Sequence, residues 1–310
     1  MLSRRQLRIK VLQSLYAYFQ AEKNEFGVAE RELFRSIEKV YELYLYLLNL
    51  LEELADADRQ DADELRQKFY PDEKELKAKR RLHSIGFITK LSGNDEYRRM
   101  LKRTGLSWQK ERDLLRKMFL EIKRSDEYKD FFSEEVINEK DFLIDLIKKH
   151  FLETDTLSNH LEEENIFWPE DLDFICHIII RMIRSYYDSG DMKLMPLYKD
   201  EEDDKSFVKT LFSKTILHNP EYENAISERT KNWEVERIAL MDILILKMAL
   251  AELVHFPGIP VKVTINEYID ISKEYSTPKS KQFVNGVIDK LAIDYKEQGK
   301  IQKSGRGLIG

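Results

Sequence analysis

Cysteine is nearly absent from this chain. The one thiol, Cys176, cannot close an internal disulfide and sits in the apolar run Ile175 to Ile180, so a disulfide framework is excluded and a reducing cytoplasm is the expected setting. Glycine and proline are scarce too, 11 and 7 in 310 residues, which leaves too little turn chemistry for an all-β fold. No apolar run approaches the roughly 20 residues of a membrane span. The most hydrophobic one, Ile243 to Leu253, is broken by Lys247 and Glu252. The N-terminus starts basic and turns apolar, but its pattern is amphipathic and lacks a small-residue cleavage site, so it does not read as a signal peptide. The histidines, His83, His150, His160, His177, His218 and His255, show no HExxH or Cys/His metal spacing, and neither phosphate-cradling glycine loop occurs. Metal, nucleotide and cofactor chemistry are therefore not expected, and the chain does not read as an enzyme.

What remains is a helical composition. Hydrophobic residues make up 42% and charged residues 35%, enough for one large helical domain or two smaller ones, and the fold class read from this is all-α. The net charge of −6 argues weakly against nucleic acid, but its distribution matters more. Arg4, Arg5, Arg8 and Lys10 crowd the start of the first helix, while Asp200 to Asp204 form an acidic run elsewhere.

Leu12, Leu15, Tyr16 and Phe19 recur at helical spacing, so a first helix is predicted to about Glu22, with Leu12 and Tyr16 facing the core. A second is predicted from Val28 to about Ala57. Further helices are predicted over 95–103, 107–122, 134–152 and 169–187. The stretch Asp58 to Lys90 is strongly charged, with a basic segment from Lys74 to Arg81. Shifting the chain by 65 positions aligns Phe142 with Phe207, Leu146 with Leu211, Trp168 with Trp233 and Ile178 with Ile243 without a gap. This suggests a partial internal duplication, with chance similarity of two helical hairpins as the alternative.

The last third carries the most specific pattern. Trp233 to Leu253 reads as one or two buried helices, FPGIP (Phe256 to Pro260) enforces a turn, and T-I-N-E from Thr264 to Glu267 has capping-box spacing. The turn Ser276 to Ser280 precedes a final helix with Phe283, Val284, Val287, Ile288 and Leu291 facing inward. The tail GKIQKSGRGLIG has little to bury and is expected to be flexible.

Two elements, IP-x-KV-x-INE (Ile259 to Glu267) and FVNGV-x-DK (Phe283 to Lys290), together with RR-x-x-R-x-x-V-x-Q-x-LY from Arg4 to Tyr16, resemble the NusB family. The segment Asp204 to Arg237 is also similar to that family's third helix and its connection. The resemblance covers residues 1–22 and about 204–298. It implies a NusB-like helical core formed from both chain ends, a helical insertion over 24–202, and a flexible tail from 299 to 310. The insert helix Val28 to Ala57 is expected to replace the family's second helix.

The function implied is transcription antitermination: binding boxA-like single-stranded leader RNA with NusE, a small-subunit ribosomal protein, on the elongating RNA polymerase. The implied RNA-binding residues are Arg4, Arg5, Arg8, Tyr16, Lys262, Lys279, Ser280, Lys281 and Phe283, and the implied partner contact is Asp242. Relatives often carry an acid where Lys279 stands, so a stronger phosphate contact is expected here. Each residue also has a plainer reading: a solvated helix face for the arginines, core packing for Phe283, a turn lysine for Lys262, a solvent-facing acid for Asp242. Asn266 and Asn285 read as residues that fix loops and helix ends, and Gly286 as one that permits close packing. The rivals are a helical scaffold that has lost RNA binding and an RNA cytosine methyltransferase, whose glycine-rich cofactor domain is not in this sequence. The RNA site requires α-helical arginines and the turn before the last helix to meet in one groove.

Overall fold

The computed structural model describes residues 1–69, 81–132, 138–230 and 239–308. Every regular element among them is helical. The helices are α1 (Arg4–Gln20), α2 (Phe26–Gln67), α3 (Gly86–Ser92), α4 (Asp95–Thr104), α5 (Arg112–Arg124), α6 (Asp126–Phe132), α7 (Glu139–Ile147), α8 (Asp155–Glu164), α9 (Leu172–Ser189), α10 (Glu201–Leu217), α11 (Asn219–Thr230), α12 (Leu240–His255), α13 (Val261–Tyr275) and α14 (Pro278–Glu297). They form two compact units. Unit 1 holds Met1–Ile37 with Tyr198–Gly310, and unit 2 holds Glu38–Leu197. The boundary at Ile37 falls inside α2, which runs ten residues past the predicted end at Ala57.

Unit 2 is built on the second part of α2, whose Val40, Leu43, Tyr44, Leu47, Leu48 and Leu51 are buried. Trp108 explains why α5 starts at Arg112 and not at the predicted Ser107. Its ring stacks on Tyr46 at 4.2 Å, and its Nε1 donates to the Tyr46 carbonyl at 3.1 Å. Tyr46 in turn hydrogen-bonds His160 Nε2 at 2.8 Å, and Trp168 Nε1 donates to the Lys39 carbonyl. The predicted helix 134–152 is α7 followed by a wider turn over Lys148–Leu152. Cys176 is buried, and burial pushes its thiol up to about 12, so it is a packing residue.

In unit 1, α12 is the central element. It packs on α10, α11, α13 and α14, and nearly all of it from Leu244 to Leu253 is buried, including Lys247 and Glu252. Lys247 is accommodated by Asn219 and Glu223 at 2.6 and 3.0 Å. The capping box predicted at Thr264 is corrected: Pro260 is the cap residue, α13 begins at Val261, and Thr264 lies buried inside the helix. Gly286, expected to allow close packing, faces open space. Asn266 and Asn285 are both exposed.

The stretches related by 65 residues are both helical, and Phe142, Phe207, Leu146, Leu211, Leu157, Tyr222, Leu161 and Ile226 are all buried. Trp233 and most of the basic segment, 74–80, lie outside the described residues.

The tail folds back where flexibility was expected. Lys300 bridges to Glu221 at 2.8 Å, Lys303 Nζ donates to the Phe256 carbonyl at 3.0 Å, and Ser304 N donates to the Pro257 carbonyl at 3.0 Å. A Cβ on Gly307 would collide with that Pro257 carbonyl, so glycine is required there. The Phe256 carbonyl, which also accepts from Ile259 N, and the Pro257 carbonyl anchor the tail to the FPGIP turn.

Two stability predictions follow from buried polar clusters. Asp58 is fully buried and is the shared acceptor for Tyr128 Oη at 2.6 Å, His83 Nδ1 at 3.1 Å and Arg81 Nη1 at 3.5 Å. Asp58→Ala is expected to lower the unfolding free energy by about 3 kcal/mol, read by urea denaturation; Asp58→Asn should lose less. His255 is held neutral: burial, then the neighbouring His218 and Lys214 charges, depress its pKa to about 4 from the ordinary 6.5. The unfolded chain therefore binds the proton first as pH falls, so the stabilisation is complete above about 6.5 and is lost between there and about 4. In His255→Gln this part of the acid sensitivity should disappear from parallel denaturation curves at pH 7, 5.5 and 4.5.

Candidate nucleic-acid interface

The arginine cluster is set by local rules first. Ser3 caps α1 by accepting from Gln6 N, and Gln6 returns the bond to Ser3 N, so the helix starts at Arg4 and its first turns carry Arg4, Arg5 and Arg8. α1 packs on α10, α12 and α13, and each of those helices delivers carboxylates to the arginines.

Arg8 is the most deeply placed. It is 2% exposed, and its Nε and Nη2 donate to the two oxygens of Glu252, each at 2.7 Å, in a bidentate pair. Glu252 has no exposure and accepts two further bonds, from Thr264 Oγ1 at 2.9 Å and Tyr268 Oη at 3.2 Å. Burial alone would lower the guanidinium pKa, but the Glu252 hydrogen bonds and charge outweigh it and raise it. Burial, with the Glu252 charge, drives the Tyr268 hydroxyl well above its ordinary value. The tetrad is thus a fixed cation, a fixed anion and two neutral donors.

Arg5 bridges Glu267 and Asp270, at 3.0 and 2.9 Å, and Arg4 bridges Asp203 and Asp204 while lying over the Phe207 ring at 4.3 Å. Phe207 also packs on Phe256 of the FPGIP turn. The acidic run expected elsewhere is therefore the start of α10, where Asp200 caps the helix and Asp203 and Asp204 meet Arg4. Five carboxylates surround three guanidiniums. The expectation of three exposed cations is corrected: Arg8 is a core residue, and Arg4 and Arg5, about one third exposed, are already paired.

The other candidates divide. Tyr16, predicted to face the core, is 40% exposed. Lys262 and Lys281 are exposed, on the first turns of α13 and α14. Phe283 is 5% exposed, so its ring serves the core, and Ser280 is buried with its hydroxyl on Thr277 Oγ1 at 2.9 Å. The side chain of Lys279 lies outside the described residues. Asp242, the implied partner contact with a solvent-facing acid as its plainer reading, is 4% exposed and takes a hydrogen bond from Ser276 Oγ, so its carboxylate is engaged inside the protein.

These bonds also fix where the two halves of the expected groove lie. Glu252 meets Thr264, and Asp242 meets Ser276, so α12 and α13 run antiparallel with the arginine tetrad at one end and the turn before α14 at the other. Ten residues of α12 separate them, about 15 Å at helical rise. Arg8 therefore lies apart from that turn, while Arg5 reaches Asp270, further along α13 toward it; Tyr16, Lys262 and Lys281 are the exposed groups of the set. The tetrad could have been suspected from the sequence, since Glu252 is an acid inside the longest apolar run and a buried carboxylate needs a cation.

The geometry defines a class: an all-helical protein whose opening helix is riveted through arginine to the C-terminal helices. The comparisons agree with it. The NusB family pattern matches residues 189–292. The transcription antitermination protein NusB of Salinibacter ruber is 44% identical over 116 residues, covering 37% of this chain and 72% of that protein. Its namesake in Geobacter sulfurreducens is 35% identical over 121 residues, 37% of this chain and 88% of that protein. That of Chloroherpeton thalassium is 38% identical over 105 residues, 34% of this chain and half of that protein. A solved structure of T. maritima NusB aligns over 46% of this chain and 89% of its own, at 26% identity and a TM-score of 0.31. The chain belongs to the NusB family of transcription antitermination proteins. No helix among the described residues is long and apolar enough to cross a membrane.

Breaking the tetrad should unfold unit 1 before it affects any surface. Arg8→Ala or Glu252→Ala is expected to cost about 3–5 kcal/mol, because each leaves a buried charge uncompensated, whereas Arg8→Met with Glu252→Leu should recover most of it. Lys262→Ala should shift stability by less than about 0.5 kcal/mol. Urea denaturation of the four variants separates these outcomes.

Proposed function

We propose that this protein is a non-enzymatic, cytoplasmic antitermination factor that binds a boxA-like single-stranded RNA together with NusE and delivers both to the elongating RNA polymerase, supporting ribosomal RNA transcription. Kinship with the NusB proteins of three bacteria carries this reading. The surface chemistry supports it. An exposed tyrosine, Tyr16, offers a stacking face for an unpaired base, and Lys262 and Lys281 offer phosphate contacts. Arg4 and Arg5 contribute their exposed edges only, since a phosphate there competes with Asp203, Asp204, Glu267 and Asp270. Asp242 acts in this reading by tying the start of α12 to the turn between α13 and α14 through Ser276, and NusE meets the surface around it.

With Arg4, Arg5 and Arg8 engaged by carboxylates, RNA alone binds weakly and NusE adds the area that makes the complex tight. Titrating a labelled boxA-like RNA with and without NusE, by fluorescence anisotropy, tests this. NusE should strengthen binding, Tyr16→Ala should weaken the ternary complex about tenfold, and Lys262→Glu with Lys281→Glu should weaken it and reduce its salt dependence. No RNA binding in either titration would leave the helical interaction scaffold as the reading.

A further inference from the structure

The cations of α1 are occupied, but a second concentration of positive charge is not. From Arg98 to Arg124 ten basic side chains stand against three acidic ones, Glu111, Asp113 and Glu121, in a chain that overall has 51 basic and 57 acidic residues. On α4, Arg99, Lys102 and Arg103 share one face at i, i+3, i+4 spacing. Lys110 follows in the link, and Arg116 and Arg124 lie on α5; all six are exposed.

Their surroundings set them apart from Arg4, Arg5 and Arg8. Arg98 has its nearest carboxylate, Glu52, at 3.9 Å, and Arg112 acts by charge on Glu53. Among the described residues the other exposed cations of α4 and α5 have no carboxylate at ion-pair distance. Arg98 beside Glu52 and Arg112 beside Glu53 place the first turns of α4 and α5 at neighbouring residues of α2, from which α4 runs back toward Tyr41, where Arg103 acts, and α5 runs on toward Asp61, where Lys123 pairs, so their cations form a strip along α2. Arg98 with Lys102, and Arg99 with Arg103, are like-charge i,i+4 pairs, which destabilise a helix by a few tenths of a kcal/mol each. Asp95, Glu96 and Asp113 in the first turns, and the C-terminal placement of Lys102, Arg103 and Arg124, offset part of this repulsion, yet cations still outnumber acids along both α4 and α5.

We propose that α4 and α5 of unit 2 form a second, sequence-independent surface for the phosphate backbone of single-stranded RNA, outside the family-matched residues 189–292. In naming RNA as the polyanion, it rests on the antitermination reading. Direct phosphate contact by flexible, unpaired cations gives affinity without base specificity, so this surface holds flanking transcript while the boxA-like element is read elsewhere.

The test uses the full chain, a 30-nucleotide oligouridine without any boxA element, and a 12-nucleotide boxA-like RNA with NusE. Replacing Arg99, Lys102, Arg103 and Arg116 by glutamine should weaken oligouridine binding at least tenfold and make the slope of log K against log salt shallower by about 3, at roughly 0.7 per lost contact. The 12-mer complex and the melting temperature should not fall. Lysine at all four positions should retain the binding. Oligouridine affinity and slope unchanged by the glutamine set, or no oligouridine binding by the parent protein, would overturn the proposal. So would a loss confined to binding of anionic phospholipid vesicles, which would assign the surface to a membrane. Failure of the 12-mer with NusE, with oligouridine binding still dependent on these four residues, would instead reject the antitermination reading and leave the surface standing.

Discussion

The bidentate pair between Arg8 and Glu252 is the constraint on which unit 1 depends. It joins residues 244 positions apart, and it lets a charged opening helix sit against the most apolar helix of the chain. Isolated, either charge would be too costly to bury, by several kcal/mol. Together with Thr264 and Tyr268 they satisfy one another, and the geometry leaves α1 a single way to dock. Specificity of docking, more than net stability, is what such a buried pair supplies. Arg5 and Arg4 extend the same fastening along α13 and α10.

This fastening joins two stretches of unit 1 that unit 2 separates in the chain. Unit 2, Glu38–Leu197, enters the chain between α1 and the helices that hold α1. Because the docking code is carried by side chains and not by a short connection, the intervening length adds only slowly growing loop entropy. Unit 2 has its own buried clusters, around Trp108 and around Asp58, and so brings its own stability. It also brings a different surface, with Arg99, Lys102 and Arg103 of α4 unpaired where Arg4, Arg5 and Arg8 of α1 are paired.

Much of the fold was legible in the sequence, because helical periodicity is local. The inward residues of α14, the turn at FPGIP and the extent of α4 all followed from spacing and turn chemistry. What was not legible depended on distant partners. Arg8 has the pattern of an exposed cation, and nothing within α1 announces a carboxylate on α12. Thr264 has the spacing of a cap, but Pro260 starts the helix earlier and the hydroxyl is needed by Glu252. Tyr16 was assigned inward by its register with Leu12, yet the stripe of α1 closes at Leu15 and leaves the ring at the surface. The tail looked unanchored because its partners, Glu221 and the carbonyls of Phe256 and Pro257, lie far from it in the chain. The candidate site shows the same limit: the residues that expose themselves, Tyr16, Lys262 and Lys281, were named beside residues such as Phe283 that the core claims.

The measurement closest to the central claim is hydrogen exchange at the arginine Nε–H groups by NMR. If Arg8 is locked on Glu252 inside the core, its Nε–H exchanges orders of magnitude more slowly than that of the exposed Arg99, and the protection vanishes in Glu252→Gln. An Arg8 Nε–H that exchanges as fast as that of Arg99 would contradict the account.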